Sequence, residues 1–176
     1  MKAAGSIGAE FHNCVEQYLD TGTFTVGLAG NVRTRITGMM ASFVDWATGI
    51  DGVVHSTELK VISKLHTYSG TLDSVGTLDG KPIIWDWKTS SRIYPEMALQ
   101  LTAYAQAYKE QVGVDIKQGL IVHVSKDKPH FKLTVKEFKL GKRMLNKFLK
   151  LRAMLDDMKT PDLNGDIGDA ESKSDI

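Results

Sequence analysis

GTLDSVGTLDGKPIIWDWKTS, residues 70–90, is the stretch on which the reading of this chain turns. Asp79-Gly80 separates the runs 71–78 and 82–87, and aspartate followed by glycine tolerates the positive φ angles of a two-residue hairpin turn. The two runs therefore pair antiparallel. Asp73 lies in the first strand and Asp86 near the end of the second, while strand alternation points Lys88 to the same face as Asp86. Two carboxylates and an ammonium meet at one place. Ile83, Ile84, Trp85 and Trp87 mark the second strand as buried at least in part, where a free carboxylate or lysine is costly unless it is paired or holds a metal. Taken alone, an acid and a lysine two apart on a strand are also the pattern of an exposed, ion-paired face.

Working outward, residues 57–68 supply a further strand, with Ser69-Gly70 as a bend or bulge between it and the hairpin. Upstream, Ile7, Phe11, Cys14, Val15 and Tyr18 recur at helical spacing over residues 5–19. The Gly- and Thr-rich stretch 21–30 breaks that period. Ile36, Met39, Met40, Phe43, Val44 and Ala47 restore it in a second helix that ends near Gly49. Downstream of Pro95, Met97, Leu101, Tyr104, Ala105 and Tyr108 form a third helix with Gly113 as its stop. Strands at 118–125 and 131–135 and a long basic helix over 137–158 complete the order. That order predicts an α/β (α+β) fold, a mixed central β-sheet flanked by helices, in a single domain over residues 1–159. Residues 160–176 are polar and acidic, and are expected to be a disordered tail.

The composition bounds the chemistry. With 42% hydrophobic and 24% charged residues among 176, the chain is globular. Cys14 is the only cysteine, which rules out an intrachain disulfide, a four-cysteine zinc site and an iron-sulfur cluster held within one chain. A metal must be held by oxygen and nitrogen. There is no apolar run long enough to span a bilayer and no secretory leader pattern, so the expectation is a soluble, unsecreted, cytoplasmic protein with no membrane partner.

Net charge is only +1 but uneven. Lys126, Lys128, Lys132, Lys136, Lys139, Lys142, Arg143, Lys147, Lys150 and Arg152 face only Asp127 and Glu137, a segment able to track phosphates as well as to serve as a solvated helix face. Asp162, Asn164 and Asp166 imitate a calcium loop. Ile167 at its sixth position and Lys173 at its twelfth dismiss it. Trp46, Trp85 and Trp87 suit stacking on unpaired bases or burial in the core, and burial is expected for the latter two.

Hydrolysing a phosphodiester at neutral pH requires the phosphate charge to be offset, a water to be activated and a leaving oxygen to be stabilised, and divalent cations can do all three. Magnesium favours converging carboxylates and keeps several waters. The hairpin offers such convergence through Asp73 and Asp86, with Lys88 beside them.

The segment 70–90 followed by LQLTAYAQAY resembles the core of RecB-like nucleases of the PD-(D/E)xK superfamily, in particular the mitochondrial genome maintenance exonuclease and its phage relatives. The matching elements are Gly70 to Asp73, Trp85 to Ser90, Gln100 with Tyr104, and Gly8 with His12, in a resemblance covering roughly residues 5–108. It implies a restriction-endonuclease-like core in which His12, Asp73, Asp86 and the Trp87 carbonyl hold the metal. It also implies that Lys88 activates the attacking water and offsets phosphate charge, that Glu58 acts in or beside the site, and that Gln100 and Tyr104 hold the DNA backbone or the lysine. Relatives usually carry a longer region before the histidine helix than this chain shows, which leaves the mode of DNA engagement open.

The resemblance further implies a magnesium-dependent deoxyribonuclease, with manganese as a substitute. The expected activity is that of an exonuclease on single-stranded DNA in replication, recombination or repair, of phage or bacterial origin. A structure-selective endonuclease with the same centre, or a non-catalytic nucleic-acid-binding module on a nuclease fold, are the alternatives. Intact Asp73, Asp86 and Lys88 speak against the last.

Overall fold

The computed structural model describes residues 2–126 and 131–159. The acidic segment from residue 160, with its expected disorder and its calcium-like spacing, lies outside the described residues. Helices α1 (Lys2–Thr21) and α2 (Gly30–Thr48) precede strands β1 (Gly52–Ser63), β2 (Tyr68–Leu78) and β3 (Lys81–Lys88). Helix α3 (Glu96–Val112), strands β4 (Gln118–Val124) and β5 (Leu133–Lys139) and helix α4 (Lys142–Lys159) follow. The described strands form one sheet in the order β1-β2-β3-β4-β5. Neighbours are antiparallel except β3 and β4, which run parallel, so the chain crosses over between them through α3. This is the mixed α/β sheet that the element order predicts.

Alternation along β3 and β4 divides the interior in two. Ile83, Trp85, Trp87, Leu120, Val122 and Val124 pack with Phe11, Val15, Met39 and Phe43 of α1 and α2. Ile84 and Ile121 join Val61, Leu72, Val75 and the α3 residues Met97, Leu101 and Ala105 on the other face. Asp86 and Lys88 share the parity of Ile84 and belong to the α3 side. Trp85 and Trp87 are core, and Trp46 packs against Phe43 and Trp87 rather than standing free. Among the described residues no helix is long and apolar enough to cross a membrane.

Three boundaries differ from expectation. The strand expected at 57–68 is instead β1, and the chain turns between Ser63 and Tyr68. Ser69 and Gly70 are not a bend, because they pair in the ladder with Ile62 and Val61. The turn lacks glycine, proline and asparagine, and is held from outside: Leu65 N–H donates to Glu110 of α3 (3.1 Å) and His66 N–H to Ser63 Oγ (3.1 Å). The irregularity in the β1–β2 register falls between Val54 and Ser56, where His55 is the extra residue of a bulge. Finally, β5 runs to Lys139, which pairs with Gln118, so Lys136, Glu137 and Lys139 lie on a strand and the basic helix starts only at Lys142. Gly141 marks that change, its carbonyl accepting from Met144 and Leu145. At the other two stop signals the sequence reading holds: Asp79 and Gly80 both take positive φ (49° and 71°), and Gly113 caps α3 in the left-handed region.

Candidate active site

The site forms where the β2–β3 hairpin stops pairing. The ladder ends at Ser74 opposite Trp85, and one residue further the Asp73 side chain takes over, its Oδ2 accepting the Trp87 N–H at 2.8 Å. This backbone bond fixes one carboxylate beside the end of β3. Glu58 lies on β1 between Thr57 and Leu59, which pair with Ser74 and Leu72, so it stands opposite Asp73. Its backbone has φ 46°, a left-handed conformation that costs a non-glycine residue on the order of 1–3 kcal/mol and that the surrounding sheet must hold in place.

Helix α1 brings the third group. Its Gly8 passes so close to the end of β3 that a Cβ there would stand 3.1 Å from Thr89 Oγ1, and one turn later His12 reaches the carboxylates. His12 Nδ1 is 3.6 Å from Asp73 Oδ2. Ligand atoms of His12, Glu58 and Asp73 all lie within 4.8 Å of one another. The Trp87 backbone bears on the His12 ring as well, opposing the lowering of its pKa by burial.

Asp86 is placed differently. It is 1% exposed, its Oδ2 pairs with the Lys88 ammonium at 2.6 Å, and its Oδ1 has no hydrogen-bond partner among the described residues. A buried carboxylate left in that condition is costly and wants a further cation. Burial pushes Asp86 up to about 6, with the Asp73 charge raising it further against the pull of Lys88. Asp73 is likewise pushed up to about 6 by burial, with the Trp87 N–H and Lys88 opposing. His12 is pushed down by burial and by Lys88, which leaves a neutral imidazole able to offer a lone pair. The donors are carboxylate oxygens and an imidazole nitrogen, a set able to hold a divalent cation.

Helix α3 closes the far side. Gln100 Nε2 donates to Tyr104 Oη at 2.8 Å, and the phenol, raised chiefly by burial, also feels the charges of Asp86, Asp73 and Lys88. The Tyr104 ring lies over the backbone of Gly70, where a Cβ would come within 2.6 Å of its Cε1. Glycine at this position gives the ring its room. An open cleft of about 440 Å³, lined by Gly8, His12, Asn13, Glu16 and Glu58, leads in between α1 and β1.

The structure thus draws His12, Glu58 and Asp73 into one cluster, pairs Asp86 with Lys88, and sets the hydrogen-bonded Gln100 and Tyr104 on α3 with the Tyr104 ring over Gly70 of β2. Glu58, expected in or beside the site, stands in the same cluster as His12 and Asp73, and Asp86 pairs with Lys88. One residue was not foreseen. His123 on β4, 8% exposed, pairs in parallel register with Lys88 and hydrogen-bonds through Nε2 to the Ser90 carbonyl at 2.5 Å, anchoring the segment just after the lysine. Nothing local in the sequence announces it, since its neighbour is set by the crossover. The basic residues Lys142, Arg143 and Lys147 lie on α4, which packs on α3 and outside the cluster.

Residues 9–163 match the family model described as the PD-(D/E)XK nuclease superfamily. The crystal structure of a protein named “Putative exonuclease” from Eubacterium rectale superposes with a TM-score of 0.56 at 11% identity, over 86% of this chain and 65% of that one. The chain therefore spans somewhat under two thirds of that relative's length. An alkaline exonuclease from Laribacter hongkongensis is similar at a TM-score of 0.48 and 12% identity, over 85% of this chain and 78% of its own. The structure of that exonuclease in complex with dAMP gives 0.48 and 10%, over 86% and 83%. No curated protein sequence matches this one.

Proposed function

Because the chain belongs to the PD-(D/E)XK nuclease superfamily, whose members cleave with divalent metals, we propose that it is a magnesium-dependent deoxyribonuclease that acts on single-stranded DNA from an end. The observation that carries this reading is the buried Asp86, paired with Lys88 through Oδ2 and with Oδ1 unpartnered among the described residues, set beside the His12–Glu58–Asp73 cluster. A magnesium ion held there supplies phosphate charge neutralisation and a more acidic water.

In this proposal Asp73 is the fixed ligand, since its second interaction, with Trp87 N–H, prevents it from turning away. His12 and Glu58 complete the ligand set from α1 and β1, and the Trp87 carbonyl adds an oxygen. Asp86, paired with Lys88 through Oδ2, adds a further carboxylate to the ligand set. Lys88 faces the attacking water and the growing charge on the phosphate, where an ammonium lowers the barrier in proportion to how far water is excluded. Gln100 and Tyr104 steady the scissile phosphate or the lysine from α3. Manganese substitutes for magnesium, whereas calcium binds with little turnover because its looser coordination holds the water less well.

The preference for single strands and for an end rests on the sequence resemblance, and one experiment separates the alternatives. End-labelled linear and closed circular single strands are incubated with the protein and magnesium. Linear strands are expected to shorten to small products while circles persist. Rapid cutting of the circles would establish an endonuclease with the same centre, and no cutting of either would establish a binding module.

A further inference from the structure

Helices α3 and α4 and the start of β2 enclose a cleft of about 340 Å³, within the lower part of the roughly 300–1,000 Å³ typical of ligand sites. Tyr68, Tyr104, Phe148 and Leu151 wall it, with Gln100 and Glu96 among its polar members. Resting on the nuclease reading, we infer that this cleft receives an unstacked base of the DNA strand adjacent to the phosphate being cut.

Three observations carry the inference. The first is continuity. Gln100 and Tyr104 line the cleft and are hydrogen-bonded to each other, and the Tyr104 ring lies over Gly70 of β2, so the cleft adjoins the strand that carries Asp73. A strand whose phosphate sits at the cluster has its neighbouring nucleotide at this cleft.

The second is that the walls are built in advance. Tyr68 Oη donates to the Ala103 carbonyl at 2.8 Å, and its ring meets Phe148 edge to face at 5.2 Å between centroids. Arg152 of α4 donates to the carbonyls of His66 (2.5 Å) and Thr67 (2.9 Å), fixing α4 to the turn that delivers Tyr68. Rings braced against each other in this way offer a fixed aromatic wall to a flat, neutral heterocycle, and stacking tolerates any base because every base has a π face.

The third is charge. Glu96 at the cleft repels a phosphate, which leaves the uncharged part of a nucleotide as the fitting occupant, while Lys147 and Lys150, exposed on α4, follow the backbone outside. The other cleft against α3, about 370 Å³, makes no comparable case, because Asp115 already takes its Lys109 (3.1 Å) and Lys117 (2.6 Å).

The test measures binding, in calcium, of an oligothymidylate and of a strand of equal length from which every base has been removed. Wild type is expected to bind the first at least about tenfold more tightly, and Phe148→Ala to lose roughly tenfold for the oligothymidylate with no change for the abasic strand. Phe148→Leu keeps apolar volume without a π face. Its melting midpoint should stay near wild type while most of the loss remains. Wild type binding both strands equally, Phe148→Ala weakening both alike, or Phe148→Leu binding as wild type would each overturn the base cleft and leave the nuclease reading standing. Failure of wild type to bind either strand would overturn both.

Discussion

The two ends of the β2–β3 hairpin carry opposite designs. At the turn end, Pro82 pairs with Thr77 and Lys81 with Leu78, and Gly80 occupies open space with φ 71°. At the far end the ladder stops, and side chains from five elements fill the place of backbone partners. Where main chain satisfies main chain, nothing is left over to react. Where it parts, Asp73 must cap Trp87 N–H, Asp86 is left with Lys88, and the unmet valence is what can recruit a cation. The chemistry depends on incomplete pairing, and the stability of the hairpin rests on its complete half.

The sharpest test of this contrast is Asp73→Asn, which keeps an oxygen for Trp87 N–H and removes the charge. Cleavage in magnesium is expected to fall to background while the melting curve changes little. Near-normal activity would show that Asp73 serves only as a backbone cap. Next comes Lys88→Ala. A rate loss of about 10²–10³ is expected with metal binding retained in calorimetry, because the lysine acts on charge that develops during reaction rather than on the ligands.

A pair of glycine substitutions then compares the two ends directly. Gly70→Ala puts a methyl 2.6 Å from Tyr104 Cε1 and should cost roughly ten- to a hundredfold in rate by displacing that ring. Gly80→Ala meets no neighbour, and should cost about 1 kcal/mol of stability through its positive φ with no effect on rate per folded molecule. Equal effects of the two on rate would erase the distinction drawn here.

The smallest effect is on pH. Asp73 and Asp86 have folded-state values raised to about 6, above those of an unfolded carboxylate near 4, so folding favours their protonated forms. Their contribution to the stability of the metal-free protein is complete below about pH 4 and is lost as pH rises through about 6. Metal binding has the opposite sign, since it needs the ionised carboxylates. Thermal melts from pH 4 to 7.5 should therefore show a decline in the metal-free protein that manganese reverses and that Asp86→Asn flattens.

How much of this was legible in the sequence depends on how local each cause is. Asp79-Gly80 and Gly113 were readable because the required φ belongs to the residue itself. Asp86 and Lys88 were readable because alternation is a property of any strand, and their neighbours Trp85 and Trp87 declared its burial. The turn between β1 and β2 was not readable, because its acceptor is Glu110, far along on α3. The reach of Glu58 depends on the bulge at His55 and on its own left-handed backbone, neither of which has a residue signature there. His123 comes to Ser90 only through the parallel register of β3 and β4. For Gly8 and Gly70 the resemblance supplied positions without reasons, and packing against Thr89 and Tyr104 supplies them.

The parallel junction of β3 and β4 also bears on when the protein becomes active. Such a pair cannot zip up from a tight turn, and must wait for the intervening helix to form and dock, a step slowed by loop-closure entropy. Helix α3 is that intervening helix, and it carries Gln100 and Tyr104. Until α3 docks on the sheet, Gln100 and Tyr104 have no fixed place beside the strands that carry Asp73 and Asp86. Closing the β3–β4 crossover and placing those two side chains are therefore one event.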